Sequence, residues 1–69
     1  MDRIKKIWFN GKEYETKQNL TINNLICYFN YNSLFIIEYN FIMCNKGLWD
    51  KISIEDGDKI EVITLVGGG

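Results

Sequence analysis

The group in this chain best placed to do chemistry is its last one. The sequence ends Val66-Gly67-Gly68-Gly69. At ordinary glycine usage a terminal Gly-Gly pair arises by chance in about 0.5% of chains, and a triple is rarer. The tail leaves an apolar run directly, with no polar spacer. A terminal carboxyl has an ordinary pKa of roughly 3.3–3.7, so it is ionised at neutral pH and can act as a nucleophile. Glycine has no Cβ, so such an end can thread a narrow channel. Three extended residues carry the carboxylate ~10 Å beyond a folded body. Gly69 is therefore the candidate reactive residue, with Gly68 and Gly67 as its flexible approach.

Other reactive groups are few. The chain has no histidine, so a Cys–His or Ser–His pair cannot form within it. Two cysteines, Cys27 and Cys44, are too few for a structural zinc site, and no metal is expected. Cys27, between Ile26 and Tyr28 on a helical stretch, reads as a packing residue, and Cys44 as the more exposed of the two. A disulfide between them stays open on sequence grounds, but no signal-peptide pattern precedes them, and reduced thiols are expected. Asp56 and Asp58 flank Gly57. Asp and Gly favour turns for backbone reasons, so this reads as a charged surface turn rather than a metal or acid–base site.

With 69 residues the chain is one domain. A domain this short buries only ~60% of the surface its unfolded chain exposes, enough for one small core. A net charge of −1 offers no footprint for nucleic acid. No apolar run is long enough to span a bilayer. Met1 to Lys6 is charged but no apolar signal segment follows, so a soluble interior compartment is expected. The chain lacks Ala and Pro, has one Arg, and is rich in Ile, Asn, Lys, Phe and Tyr. These are residues of AT-rich codons, which point to a plastid, an endosymbiont or a low-GC bacterium. The expected location is the plastid stroma if the chain is organelle-encoded, and otherwise the bacterial cytoplasm.

Ile4 to Phe9 reads as a strand. Asn10-Gly11 is a two-residue hairpin signal, and Lys12 to Thr16 is the return strand. That turn sets Ile7 opposite Tyr14 and Trp8 opposite Glu13. Thr21 is an N-cap. Ile22, Leu25, Ile26 and Phe29 then form one apolar helical stripe, ended by Asn30-Tyr31-Asn32. Leu34 to Tyr39 is a buried central strand, Phe41 to Cys44 a short further strand, and Asn45 to Gly47 a turn. Lys59 to Val66 is the last strand, with Ile60, Val62 and Thr64 alternating against Glu61, Ile63 and Leu65. A hairpin, one helix across its apolar face and further strands give a two-layer α+β domain.

This order, ending in Gly68-Gly69, resembles the ubiquitin-like β-grasp carriers. Within them the chain is most similar to the ThiS family of thiamine-pathway sulfur carriers. The residues that carry the resemblance are Asn10-Gly11-Lys12 after the first strand, Glu38-Tyr39-Asn40 closing the central strand, and an aromatic at Trp49. Ile54 to Val62, with its Asp56-Gly57-Asp58 turn, and the glycine tail complete it. Cys44 departs from the pattern, since relatives often have Pro there. The resemblance implies a mixed sheet with one main helix on one face and parallel first and last strands. It implies a β-grasp domain over 1–66 and a reactive tail over 67–69.

The same resemblance implies partners. An E1-like adenylating enzyme of the ThiF/MoeB type uses ATP on Gly69. A persulfide from a cysteine desulfurase supplies sulfur, and thiazole synthase consumes the resulting thiocarboxylate. The chain would be a protein co-substrate rather than an enzyme, with no cofactor of its own and no nucleic-acid or membrane partner. If the strand register holds, Trp8, Ile63 and Leu65 fall on the face away from the core and, with Val66, offer a partner-binding patch beside the tail. Two alternatives remain: the molybdopterin-synthase small subunit or a tRNA-thiolation modifier, and a non-catalytic β-grasp interaction domain.

Overall fold

Asn10 and Gly11 take φ of 54° and 79°, the two positive angles that a two-residue hairpin needs. The turn joins β1 (Lys5–Phe9) to β2 (Lys12–Thr16). Ile7 pairs with Tyr14 and Trp8 with Glu13, the register expected from the turn alone. The computed structural model describes residues 3–29 and 34–64. Within them lie one helix, α1 (Ile22–Tyr28), and three further strands, β3 (Phe35–Tyr39), β4 (Ile42–Cys44) and β5 (Lys59–Thr64). They form one sheet in the order β2-β1-β5-β3-β4. β1 and β5 are parallel, and the other pairs are antiparallel. This is the mixed sheet that the sequence led us to expect. The expected extension of β5 through Leu65 and Val66, and the helix terminator Asn30-Tyr31-Asn32, lie outside the described residues.

A helix of 7 residues is too short to persist alone in water, and three kinds of contact hold it. Thr21 caps it: Thr21 Oγ1 accepts from the Asn24 backbone N–H at 3.1 Å, and Asn24 Oδ1 accepts from that of Thr21 at 2.9 Å. This is a capping box with Asn in the role usual for Glu or Gln. The next two amides are taken by the connection from β4 to β5, Ile22 N–H by the Ile52 carbonyl and Asn23 N–H by the Trp49 carbonyl. Ile22, Leu25 and Ile26 are buried against Ile7, Phe9, Ile37 and Ile60 of the sheet. Phe29 ends the stripe as C-cap and is only partly buried, its ring stacked 4.5 Å from that of Phe9.

The stretch Asn45 to Gly47, expected as a turn, runs into a short 3-10 turn, Lys46–Leu48. It delivers Trp49 into the core, where the indole stacks on Phe35 at 5.3 Å and donates from Nε1 to the Cys44 carbonyl at 3.3 Å. No helix among the described residues is long and apolar enough to cross a membrane.

The candidate site at the end of the last strand

The chain reaches its glycine tail through β5, and β5 lies in the middle of the sheet. Two asparagines in the left-handed region hold it from either side. Asn10, in the β1–β2 turn, donates its backbone N–H to the Ile60 carbonyl at 2.9 Å. Its Oδ1 accepts from Val62 N–H at 2.7 Å. Asn40, at φ 50°, leaves β3 and does the same on the other side. Its N–H donates to the Lys59 carbonyl at 2.7 Å, and its Oδ1 accepts from Lys59 N–H at 2.8 Å. Asn tolerates this backbone conformation and brings a short acceptor with it. Each side chain thus continues a ladder past the point where the main chain turns away.

The Asp56-Gly57-Asp58 turn anchors the start of β5. Asp56 Oδ1 accepts from Lys6 N–H at 2.7 Å, Gly57 N–H donates to the Lys6 carbonyl, and the Asp58 carbonyl accepts from Trp8 N–H. Asp58 itself is 7% exposed, which corrects the reading of both aspartates as a charged surface turn. Asp58 Oδ2 accepts from the Tyr39 hydroxyl at 2.6 Å and from Glu55 N–H at 2.8 Å, and Oδ1 accepts from Asn40 Nδ2 at 3.1 Å. A buried carboxylate is stable there because three donors replace its water. Burial of the Tyr39 hydroxyl, reinforced by its bond to Asp58, pushes its pKa far above the ordinary tyrosine value. Sequence reading identified Asn10, Asn40 and Asp58 as parts of turns and family-like motifs but missed this shared job. The signal was there, in two turn asparagines and an aspartate that all flank one strand.

Trp8 and Ile63 do share the sheet face away from the helix. Trp8 pairs with Lys59 and Ile63 with Ile36, so the two sit four residues apart along β5, roughly 13 Å at strand rise. Glu61 and Glu38 form the cross-strand row between those levels. Ile63 is 41% exposed. Leu65, Val66, Gly67, Gly68 and Gly69 lie outside the described residues.

The cysteines reverse their expected roles. Cys27 is exposed rather than packed, because it falls off the Ile22–Leu25–Ile26 stripe. Cys44 is the partly buried one, on the core face of β4, and burial raises its thiol pKa. Both are free thiols. No cluster of three or more metal-ligating side chains occurs among the described residues.

A helix laid across a mixed sheet, with parallel first and last strands, defines the class: a ubiquitin-like β-grasp domain. A solved structure of the thiamine biosynthesis protein ThiS from Geobacter metallireducens superposes with a TM-score of 0.78 at 22% identity, over 93% of this chain and 99% of that one. The ThiS family model matches residues 7–69, and the chain belongs to the ThiS family. The uncharacterized protein ycf40 of Trieres chinensis is 47% identical over 94% of this chain and 90% of its own length. That of Porphyra purpurea is 38% identical over 91% and 90%. A thiazole synthase of Paramagnetospirillum magneticum is 28% identical over 93% of this chain, but only 20% of its own length.

Proposed function

We propose that this protein is a sulfur carrier for thiazole formation in thiamine biosynthesis, working through the Gly69 carboxylate. The observation that carries the reading is the family match, which runs through the glycine tail to residue 69. An adenylating enzyme of the E1 type activates that carboxylate with ATP and releases pyrophosphate. A persulfide sulfur from a cysteine desulfurase displaces AMP, and thiol cleavage of the acyl disulfide leaves a thiocarboxylate. Thiazole synthase then takes the sulfur. The thiazole synthase that contains a segment similar to 93% of this chain supports that pairing, since a carrier and its consumer can share one polypeptide. The ycf40 designation of the algal relatives supports a plastid-encoded protein acting in the stroma.

In this reading residues 1–66 are the handle and the tail, 67–69, is the working end. Trp8, Ile63, Leu65 and Val66 contact the activating enzyme, while Gly67 and Gly68 thread its channel. The test is ATP–pyrophosphate exchange with the adenylating enzyme of the same organism. Deleting Gly69 draws the carboxylate back by ~3.5 Å. A misplacement of 1 Å at a reacting centre already costs ~10²-fold in rate. The truncated protein folds normally and supports no exchange. Exchange at the full rate would remove the carboxylate from the mechanism.

A further inference from the structure

β5 loses one neighbour halfway along. The backbone of Lys59 faces β3, where Asn40 takes both its N–H and its carbonyl. The carbonyls of Asp58 and Ile60 face β1, where they accept from Trp8 and Asn10 at 2.9 Å. Strand groups alternate in direction, so the N–H and C=O of Val62 and Thr64 also point to the β1 side. Pairing with β1, however, ends at Phe9 and Ile60, because the chain turns away at Asn10-Gly11. Asn10 Oδ1 meets the Val62 N–H. Beyond it, no described strand lies beside the Val62 carbonyl or the Thr64 N–H. On the other side β3 pairs with β5 as far as Thr64. Among the described residues the sheet therefore has an open notch at its centre, beside the last residues of β5.

We propose that this stretch of β5 is a strand-addition site for the adenylating enzyme that acts on the tail. An extended segment of that partner donates to the Val62 carbonyl and accepts from the Thr64 N–H. The inference rests on the carrier reading, which sets the geometry. Five residues separate Thr64 from the end of Gly69, a span of at most ~18 Å. A partner enclosing the carboxylate therefore has its surface beside the end of β5. The two outer edges of the sheet fit less well. β2 lies two strands away from β5 and carries Lys12, Glu13 and Glu15, charges of the kind that discourage edge pairing. β4 offers only 3 residues. At the notch, exposed Ile63 stands between Val62 and Thr64, so an added strand gains apolar contact with its hydrogen bonds.

The test is residue-resolved amide exchange on the full chain, free and in complex with the adenylating enzyme and ATP. In the free protein Val62 is protected and Thr64 exchanges freely. In the complex Thr64 slows by about tenfold or more, as a newly formed strand bond requires. Thr64→Pro removes that N–H, which serves no β3 bond and so leaves a site where proline is tolerated. It weakens the complex about tenfold, the effect of one main-chain hydrogen bond, while Thr64→Val binds as wild type. Unchanged Thr64 exchange in a formed complex overturns the proposal, as does a folded Thr64→Pro protein of wild-type affinity. Thr64 protection already present in the free protein also overturns it, since the edge would be occupied by the chain itself or by a second copy. If Thr64→Pro does not fold, the wild-type exchange decides. Failure of the wild-type protein to form any complex overturns the carrier reading, and the strand-addition site with it.

Discussion

Asp58 is the residue on which the middle of the sheet depends. It gathers a hydroxyl, a side-chain amide and a backbone amide on one buried carboxylate. Removing an acceptor of this kind leaves several donors unsatisfied, at about 1–3 kcal/mol for each that water cannot reach. Asp58→Ala should cost at least about 3 kcal/mol in urea unfolding, a large share of the stability of any small domain. Tyr39 makes the same network sensitive to pH. Its hydroxyl pKa is raised in the folded state by burial and by Asp58, so above the ordinary tyrosine pKa the native state holds a proton that the unfolded state has lost. The contribution is whole below about pH 10 and disappears as pH rises toward the folded-state pKa. Denaturant midpoints measured from pH 8 upward should fall beyond that point for wild type. The fall should be shallower for Tyr39→Phe, which lacks the group. Parallel curves would show that the hydroxyl does not titrate with folding.

The elements were legible in the sequence where a local rule decides them. Asn10-Gly11 set the hairpin register because positive φ at two successive residues admits one geometry. Thr21 and the Ile22, Leu25, Ile26 spacing set the helix. What the sequence obscured was the fate of residues decided by tertiary contact. Phe29 fits the helical stripe by spacing, yet the helix stops before it and leaves the ring half-buried against Phe9 and Tyr14. Asp58 looks like any turn aspartate until Tyr39 and Asn40 arrive from another strand. Cys27 neighbours two apolar residues in sequence but points away from the sheet. The packing yields a graded expectation. Leu25, 4% exposed, should lose about 2–5 kcal/mol on substitution by Ala. Phe29→Ala should fall below the ~3–5 kcal/mol of a fully buried ring. Thermal and urea unfolding of the two variants checks the order, and equal or greater loss at Phe29 would place its ring in the core.

At the scale of the whole molecule, the last described strand, β5, lies inside the sheet. β5 is clamped from Lys59 to Val62 by Asn10 on one side and Asn40 on the other. Under the carrier proposal, a rigid start would lower the ordering cost of docking and leave the glycines to be ordered inside the partner. The family membership follows from the match over residues 7–69. In the sequence the candidate site reads as a tail and a face, and the tail lies outside the described residues. The glycines announced themselves by type, whereas the notch beside Thr64 depends on where β1 ends. Ile63→Asp should keep the fold, because that side chain is 41% exposed. It should weaken the enzyme complex in calorimetry, because an unpaired charge would be buried on docking; equal affinity would remove Ile63 from the interface. The central claim is that Gly69 carries sulfur. Its most direct test is the intact mass of the protein after incubation with its adenylating enzyme, ATP, a cysteine desulfurase and cysteine. The account predicts the gain of one oxygen-to-sulfur exchange, located by fragmentation at Gly69 and dependent on ATP. An unchanged mass with active partners, or a sulfur found on Cys27 or Cys44 instead, would contradict it.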